Sequence, residues 1–500
     1  MVSRREMLAT GFATVAFRNE TLDLVERLVT NLTDRPDFSA DDEDFWSQIQ
    51  QAFDLDRNLA NFNNGGCSPS PRIVQDTLRR QIAFANQAPS NYMWRILEPE
   101  IESVRTRLAR VFGVDAEEVA ITRNASESLE TLLFGFDLKP GDEVITTLMD
   151  YPRMVTTLQQ RERRDGIKMV QVTVPPVPRR MEDLSTPILA AVTPRTKLIL
   201  VSQISFMNGQ IFPVKTITDA ARKLGIPVVV DGAHAFVQYD HDQSDLGCDF
   251  YGNSLHKWLM APVGTGMLYV KKDRIKDVWS LMASGAAQSA DIRKFEEIGT
   301  HPAANHNAIG EAITFHEMIG LKRKEARFRY LRKRWTDRLQ DLKNVRFYTN
   351  LDPRFSCAIT TVGIQGIKSG DLAAWLQAKH AVFVTTISND FIDGIRVTPN
   401  VYSTVEEIDR FAQAMQIAAT KGITERSAGF SPHESKGLQP RPARSPTGAR
   451  ASARISQGAL APTYTPTIRS AGFSPHLSQG LQPRPTRSPT GARASQPASV

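Results

Sequence analysis

The chain has 500 residues, 41% of them hydrophobic, a formal net charge of +7 and three cysteines. That is enough apolar side chain for a large core and too few cysteines for a disulfide framework, and no run approaches the roughly 18 apolar residues of a membrane span. Nor does the charge describe the folded part: from Ser427 onward there are nine Lys/Arg and one acid, so the basic excess belongs to the tail.

At the start of the chain, Ser3-Arg4-Arg5-Glu6-Met7-Leu8 followed by Ala9 to Phe17 resembles a twin-arginine export signal. The apolar stretch is short, Arg18 and Glu20 follow at once, and no small-x-small cleavage site is evident. Residues 1–44 therefore read as an N-terminal arm of a cytoplasmic protein, with folded export to the periplasm as the alternative. Between about residues 100 and 270, strand and helix patterns alternate. Residues 119–122, 141–147, 196–201 and 228–230 read as strands, and residues 127–136 as a helix with apolar Leu129, Leu132, Leu133 and Phe136. This βα rhythm predicts an α/β fold with a mostly parallel sheet, whose ligands gather at the carboxyl ends of the strands.

From 310 to 340 the pattern turns helical and strongly charged. Lys322, Arg323, Lys324, Glu325, Arg327, Arg329, Arg332, Lys333 and Arg334 lie among Ile319, Leu321, Phe328, Leu331 and Trp335. A long connecting helix with a solvated charged face is the expectation. Strands at 345–348 and 358–362 and helices at 371–379 and 405–419 then suggest a smaller α/β domain. The organisation expected is a large domain over 95–310, a small C-terminal domain over 311–424, and a segment over 45–94 packing with the small one. In the tail, 425–500, Ser427 to Ser452 recurs as Ser470 to Ser495 with three differences, a 43-residue tandem repeat. Rich in Pro, Ser, Gly and Arg and without amphipathic period, it reads as disordered, with at most weak binding to nucleic acid or anionic lipid.

The chemistry is concentrated in two residues. Asp231 ends the apolar run 226–230, and Lys257 follows 26 residues later in Ser254-Leu255-His256-Lys257-Trp258. An acid at the end of a buried strand and a lysine on a later loop can hold pyridoxal phosphate between them. The cofactor stores carbanion electrons only while its pyridine nitrogen is protonated, and a buried carboxylate keeps that proton on. The lysine has to be partly desolvated, so that its amine is neutral often enough to form a Schiff base and to shuttle the α-proton. Ahead of the helix at 127–136, Asn124, Ala125 and Ser126 form a turn whose free amides would face an anion.

Thr122-Arg123-Asn124-Ala125-Ser126-Glu127-Ser128, Asp231-Gly232-Ala233-His234 and Ser254-Leu255-His256-Lys257-Trp258 together resemble the class V aminotransferase family, fold type I of the pyridoxal-phosphate enzymes. Asn63-Asn64-Gly65-Gly66-Cys67-Ser68-Pro69 and Asp150-Tyr151-Pro152 are most similar to its isopenicillin N epimerase-like branch, and the similarity covers about residues 55 to 420. The resemblance implies a large domain with a mostly parallel seven-stranded sheet and a smaller C-terminal α/β domain. It implies that Lys257 forms the Schiff base, that Asp231 pairs with the pyridine nitrogen and that His234 sits near the phenolic oxygen. Ser254 and His256 would bind phosphate with the amides at Ala125 and Ser126, beside Asn124. Tyr151 matches a residue over the ring face and Gln203 a polar position at the cofactor's edge. Gly299-Thr300 matches a pair that reaches the phosphate from the neighbouring subunit, which implies a homodimer with shared sites. Arg396, in Gly394-Ile395-Arg396-Val397-Thr398-Pro399, resembles the family's carboxylate-binding arginine, a fitting residue because its planar fork makes two parallel bonds. Asn64, in the segment that enters the substrate side of the pocket, is a further substrate-binding candidate. No metal site is expected.

Cysteine desulfurases of this family need a nucleophilic thiol shortly before that arginine, and residues 381–388 contain none. Cys357 alternates like a buried strand residue, Cys248 reads as packing, and Cys67 as a small buried residue. The expected function is a pyridoxal-phosphate enzyme acting at the α-carbon of an amino acid, of aminotransferase or epimerase type. A C–S lyase acting by β-elimination on a cysteine-derived substrate is the alternative, and a non-catalytic scaffold on the same fold is the reading from another class.

Overall fold

The computed structural model describes residues 40–241 and 246–423. The twin-arginine-like segment and the tandem repeat lie outside these residues. The strands, in chain order, are β1 (Ala60–Asn61), β2 (Val119–Thr122), β3 (Glu143–Thr147), β4 (Lys168–Val172), β5 (Thr196–Ser202), β6 (Val228–Asp231), β7 (Phe250–Ser254), β8 (Gly266–Val270), β9 (Val345–Phe347), β10 (Thr360–Ile364), β11 (Val382–Phe383), β12 (Thr385–Ser388) and β13 (Asp393–Val397). The helices used below are α1 (Glu43–Gln50), α2 (Arg72–Ala85), α3 (Glu98–Phe112), α4 (Ala125–Gly135), α5 (Pro152–Asp165), α6 (Glu182–Ala190), α7 (Val214–Lys223), α8 (Ile309–Ile319), α9 (Leu321–Thr336), α10 (Ser369–His380) and α11 (Val405–Lys421).

Seven strands form one sheet in the order β2-β8-β7-β6-β5-β3-β4. Pairings from β7 through β4 are parallel, and β8 alone runs against both its neighbours. The central strands are apolar and buried on both faces, as a sheet covered by helices on each side requires: Leu198, Leu200, Val229 and Phe250 pack with Leu129 and Leu132 of α4, while Ile199, Val201, Val230 and Tyr251 face a second cluster with Leu108 and Phe112 of α3. Since the parallel strands point the same way, the carboxyl ends of β5, β6 and β7 bring Ser202, Asp231 and Ser254 to one edge.

A second sheet, β12-β13-β10-β9, is antiparallel throughout. Its core contains Val362, Ile395 and Val397 with Leu331 and Trp335 of α9, Leu372 and Leu376 of α10, and Ile408 and Phe411 of α11. Helix α11 starts in a capping box, with Thr404 accepting from the Glu407 amide at 3.1 Å and Glu407 accepting from the Thr404 amide at 3.0 Å. The N-terminal segment joins this sheet's neighbourhood: β1 pairs in parallel with β11, and Asn63 bridges Thr398.

The charged stretch after 310 departs from the long solvated helix expected of it. Gly320, at φ +85°, breaks it into α8 and α9. Lys324, Arg327 and Arg332 are buried. Their partners are backbone carbonyls and polar side chains reached across the fold, such as Ser403 O and Glu43 for Arg327 and Leu351 O and Ser356 for Arg332. No helix among the described residues is long and apolar enough to cross a membrane.

Candidate functional site

A cavity of about 780 Å³ opens where the carboxyl ends of the parallel strands face the antiparallel sheet. One wall begins at β2, which turns at Asn124 into α4. The Asn124 side chain accepts from the Glu127 amide at 2.9 Å, the geometry of an N-cap. Ala125 N donates to Ser254 Oγ at 2.9 Å, tying the helix start to the end of β7. Strand β8 passes so close that a Cβ at Gly266 would stand 2.6 Å from the Asn124 backbone, so only glycine allows this approach. Asn124, Ala125, Ser126, Ser254 and His256 all line the cavity. His256 Nδ1 lies 3.2 Å from Thr265 O, and burial pulls its imidazole down to about 4, so the ring is neutral at pH 7.

Deeper in the cavity, Asp231, His234 and Lys257 come together. Asp231 is buried and accepts from the Ala233 amide at 2.9 Å. Burial raises its carboxyl to about 6, against the lowering effects of that amide and of Lys257. His234 Nε2 is 3.1 Å from Lys257 Nζ. Burial, with the charges of Lys257 and Arg396, holds His234 well below the usual histidine range. Lys257 is drawn down to about 8 by desolvation, opposed by Asp231, so a useful fraction of its amine is neutral near pH 7.

The opposite wall presents Arg396 of β13, buried and pulled down to about 10 by desolvation. Its Nη1 donates to Phe206 O at 2.8 Å and its Nη2 to Asn63 Oδ1 at 2.9 Å, while Nε has no partner. Neither partner is charged, so the guanidinium keeps its capacity for an anion. Gly65 lies between the walls: a Cβ there would be 3.4 Å from the His234 ring and 3.5 Å from the Arg396 guanidinium. Tyr151, ahead of α5, and Thr385, Thr386 and Ile387 of β12 also line the cavity. Asp150, buried, accepts from Thr146 Oγ1, Thr147 N and Ser202 N at 2.7 to 2.8 Å, joining the ends of β3 and β5 beneath Tyr151 and Ser202.

Three expected positions differ from their sequence reading. Gln203 does not line the cavity: one residue past Ser202 its side chain takes the other face, where it meets Tyr239 at 3.1 Å, His241 at 2.7 Å and Tyr251 at 3.0 Å. Asn64 is turned away from the cavity, donating to Asn61 O and Thr398 O and accepting from Tyr402 OH at 2.5 Å. The residues of this segment that line the cavity are Gly65 and Gly66, and Asn63 reaches the site through its contact with Arg396. Thr300, expected to serve a neighbouring copy rather than its own chain's cavity, is exposed and stands outside this cavity. Cys67 is exposed rather than buried, whereas Cys248 and Cys357 are buried. None of the cavity-lining residues is a cysteine.

The model of the aminotransferase class-V family matches residues 62–411. Isopenicillin N epimerase of Streptomyces clavuligerus is 26% identical over 387 residues, covering 74% of this chain and 97% of that one. A probable cysteine desulfurase of Xylella fastidiosa is 24% identical over 401 residues, covering 74% and 94%. Among solved structures, the apo cysteine desulfurase of Thermococcus onnurineus shares the fold with a TM-score of 0.65 at 22% identity, covering 75% of this chain and 98% of that one. Fold and site thus define a pyridoxal-phosphate-dependent enzyme of fold type I. The chain belongs to the class-V aminotransferase family, in its isopenicillin N epimerase-like branch. The residues present fit the cofactor: the His234 Nδ1 and Arg396 Nε are buried without partners beside a buried acid, a lysine whose amine is drawn down to about 8 and a hydroxyl-rich helix start.

Proposed function

We propose that Lys257 is the residue that bonds pyridoxal phosphate covalently, and that the enzyme works at the α-carbon of an amino acid as a class V aminotransferase or epimerase. The observation that carries this reading is the Lys257 amine, 3.1 Å from His234 Nε2 and drawn down to about 8 beside the Asp231 carboxyl, in a cavity faced by Arg396. When bound, the cofactor supplies an electron sink for the pair left at the α-carbon. Asn124, Ala125, Ser126, Ser254 and His256 would hold its phosphate, the helix start contributing amides and partial positive charge. Asp231 would keep a proton on the ring nitrogen, His234 would meet the phenolic oxygen, and Tyr151 would cover the ring face.

The substrate's α-carboxylate is assigned to Arg396, whose unpartnered Nε and uncharged neighbours support that role. Lys257, released as a neutral amine, is the base that takes the α-proton and the acid that returns it. Thr300 is assigned to the phosphate of a second copy in a homodimer, a reading supported by its exposure beside Gly299 at φ +72°. Sedimentation of the loaded protein as a dimer is the expected outcome, and a monomer with full activity would contradict it. Incubation with amino acids in deuterated water separates the chemistries: α-exchange with inversion marks an epimerase and keto-acid formation an aminotransferase. Pyruvate release from a cysteine-derived substrate would instead mark the C–S lyase reading, which the desulfurase relative keeps in play. No α-exchange with any amino acid would overturn the proposal.

A further inference from the structure

The loop bearing Lys257 is fastened through its carbonyl groups. His256 O accepts from Ser68 N at 2.9 Å and Ala261 O from Ser70 Oγ at 3.0 Å, both in the N-terminal segment. Trp258 O accepts from Lys324 Nζ at 2.7 Å, and Lys324 is fully buried on α9. Its amine also lies 3.3 Å from His316 Nδ1 of α8, and burial draws it down to about 7. One turn further along α9, Phe328 meets the Trp258 ring edge-on, with centroids 5.4 Å apart. Two side chains of one helix face, four residues apart, thus hold the carbonyl and the indole of the residue that follows Lys257. The same loop contains Met260 at φ +60°, a conformation that costs a non-glycine residue and persists only where surroundings enforce it.

A lysine on a helix ordinarily extends its stem over apolar surface and leaves its amine in water. Lys324 does the reverse, spending a buried donor on a single carbonyl next to the proposed reactive lysine. We infer that Lys324 is a positioning residue for Lys257: by holding Trp258 O it fixes the backbone from which the Lys257 side chain enters the cavity. This inference rests on the assignment of Lys257 above. It also makes α9, a helix whose Arg327 reaches Glu43 and whose Leu331 and Trp335 belong to the antiparallel sheet's core, part of the frame of the cofactor side.

The test uses full-length protein loaded with pyridoxal phosphate and compares Lys324→Met, which keeps the stem and loses the donor, with Lys324→Gln, which keeps an N–H donor. Loss of this buried hydrogen bond should raise the cofactor's dissociation constant, read from the visible band, about tenfold in Lys324→Met. Lys324→Gln should recover part of that loss, and Lys333→Met, on the exposed face of the same helix, should leave the constant unchanged. A Lys324→Met protein with the unmodified dissociation constant and unmodified rate of band formation, however far its melting temperature falls, would overturn the inference. Should Lys324→Met not fold, Lys324→Gln decides alone: binding equal to that of the unmodified protein in both constant and rate contradicts the positioning role, and a weaker or slower capture supports it. Absence of the band in the unmodified protein would instead contradict the assignment of Lys257.

Discussion

The two walls of the cavity are built differently. On the proposed cofactor side, Asn124 to Ser126, Asp231 to His234 and Ser254 to Lys257 are short runs at the ends of β2, β6 and β7 of one sheet, so each run carries both its chemistry and its local structure. On the facing side, Arg396 is completed by Asn63, 333 residues away, and by the carbonyl of Phe206, 190 residues away. A wall made of local motifs can be recognised piecewise. One made by pairing distant segments depends on the register of β13 and of the Asn63 bridge to Thr398, and a one-residue slip exchanges the side chains that face the cavity.

The largest effect expected on this comparison comes from Asp231→Asn, which keeps the shape of the cofactor wall and removes its negative charge. Turnover should fall on the order of 100-fold to 1,000-fold while the cofactor stays bound, measured by α-proton exchange and by the visible spectrum. Arg396→Lys attacks the other wall. Exchanging the fork for a point charge should weaken binding of the amino acid substrate on the order of tenfold to 100-fold and leave the bound cofactor's spectrum unchanged. If the spectrum moved as much as the substrate affinity, the walls would not be separable.

The adjacent asparagines give a finer contrast. Asn64→Ala should lower the unfolding free energy by about 1 to 3 kcal/mol, because it removes the buried side-chain bonds to Asn61 O, Thr398 O and Tyr402 OH, and denaturant titration would show it. Asn63→Ala should leave stability nearly unchanged and weaken substrate binding several-fold. The smallest effect concerns pH. With the Lys257 amine drawn down to about 8, its neutral fraction rises from about a tenth at pH 7 to about half at pH 8. Cofactor uptake by the apoprotein should therefore quicken by about fivefold over that interval, and stopped-flow absorbance checks it. A rate that kept climbing through pH 10 would indicate an ordinary exposed lysine.

These contrasts also explain what the amino-acid sequence made legible. The strands of the large sheet and the helix at α4 follow from apolar runs and an Asn cap, and Asp231, Lys257, Ser126 and Ser254 all line the cavity. Gln203 and Asn64 went astray for one reason: each adjoins the residue that does face the cavity, and which of two neighbours points inward is decided by strand alternation and long-range pairing. The partners of Arg396 include a main-chain carbonyl, which no residue type announces. The same holds for α9, whose lysine and arginines are buried because backbone carbonyls of distant segments receive them. Charge counted along the sequence could only read as solvated.

The central claim is tested most directly by the visible spectrum of the Lys257→Ala variant beside the unmodified protein, each incubated with pyridoxal phosphate and freed of excess. The unmodified protein should be coloured and retain the lysine-bound cofactor's band, and the variant should show none while remaining folded. A variant that keeps the same band, or an unmodified protein that never acquires it, would contradict the account.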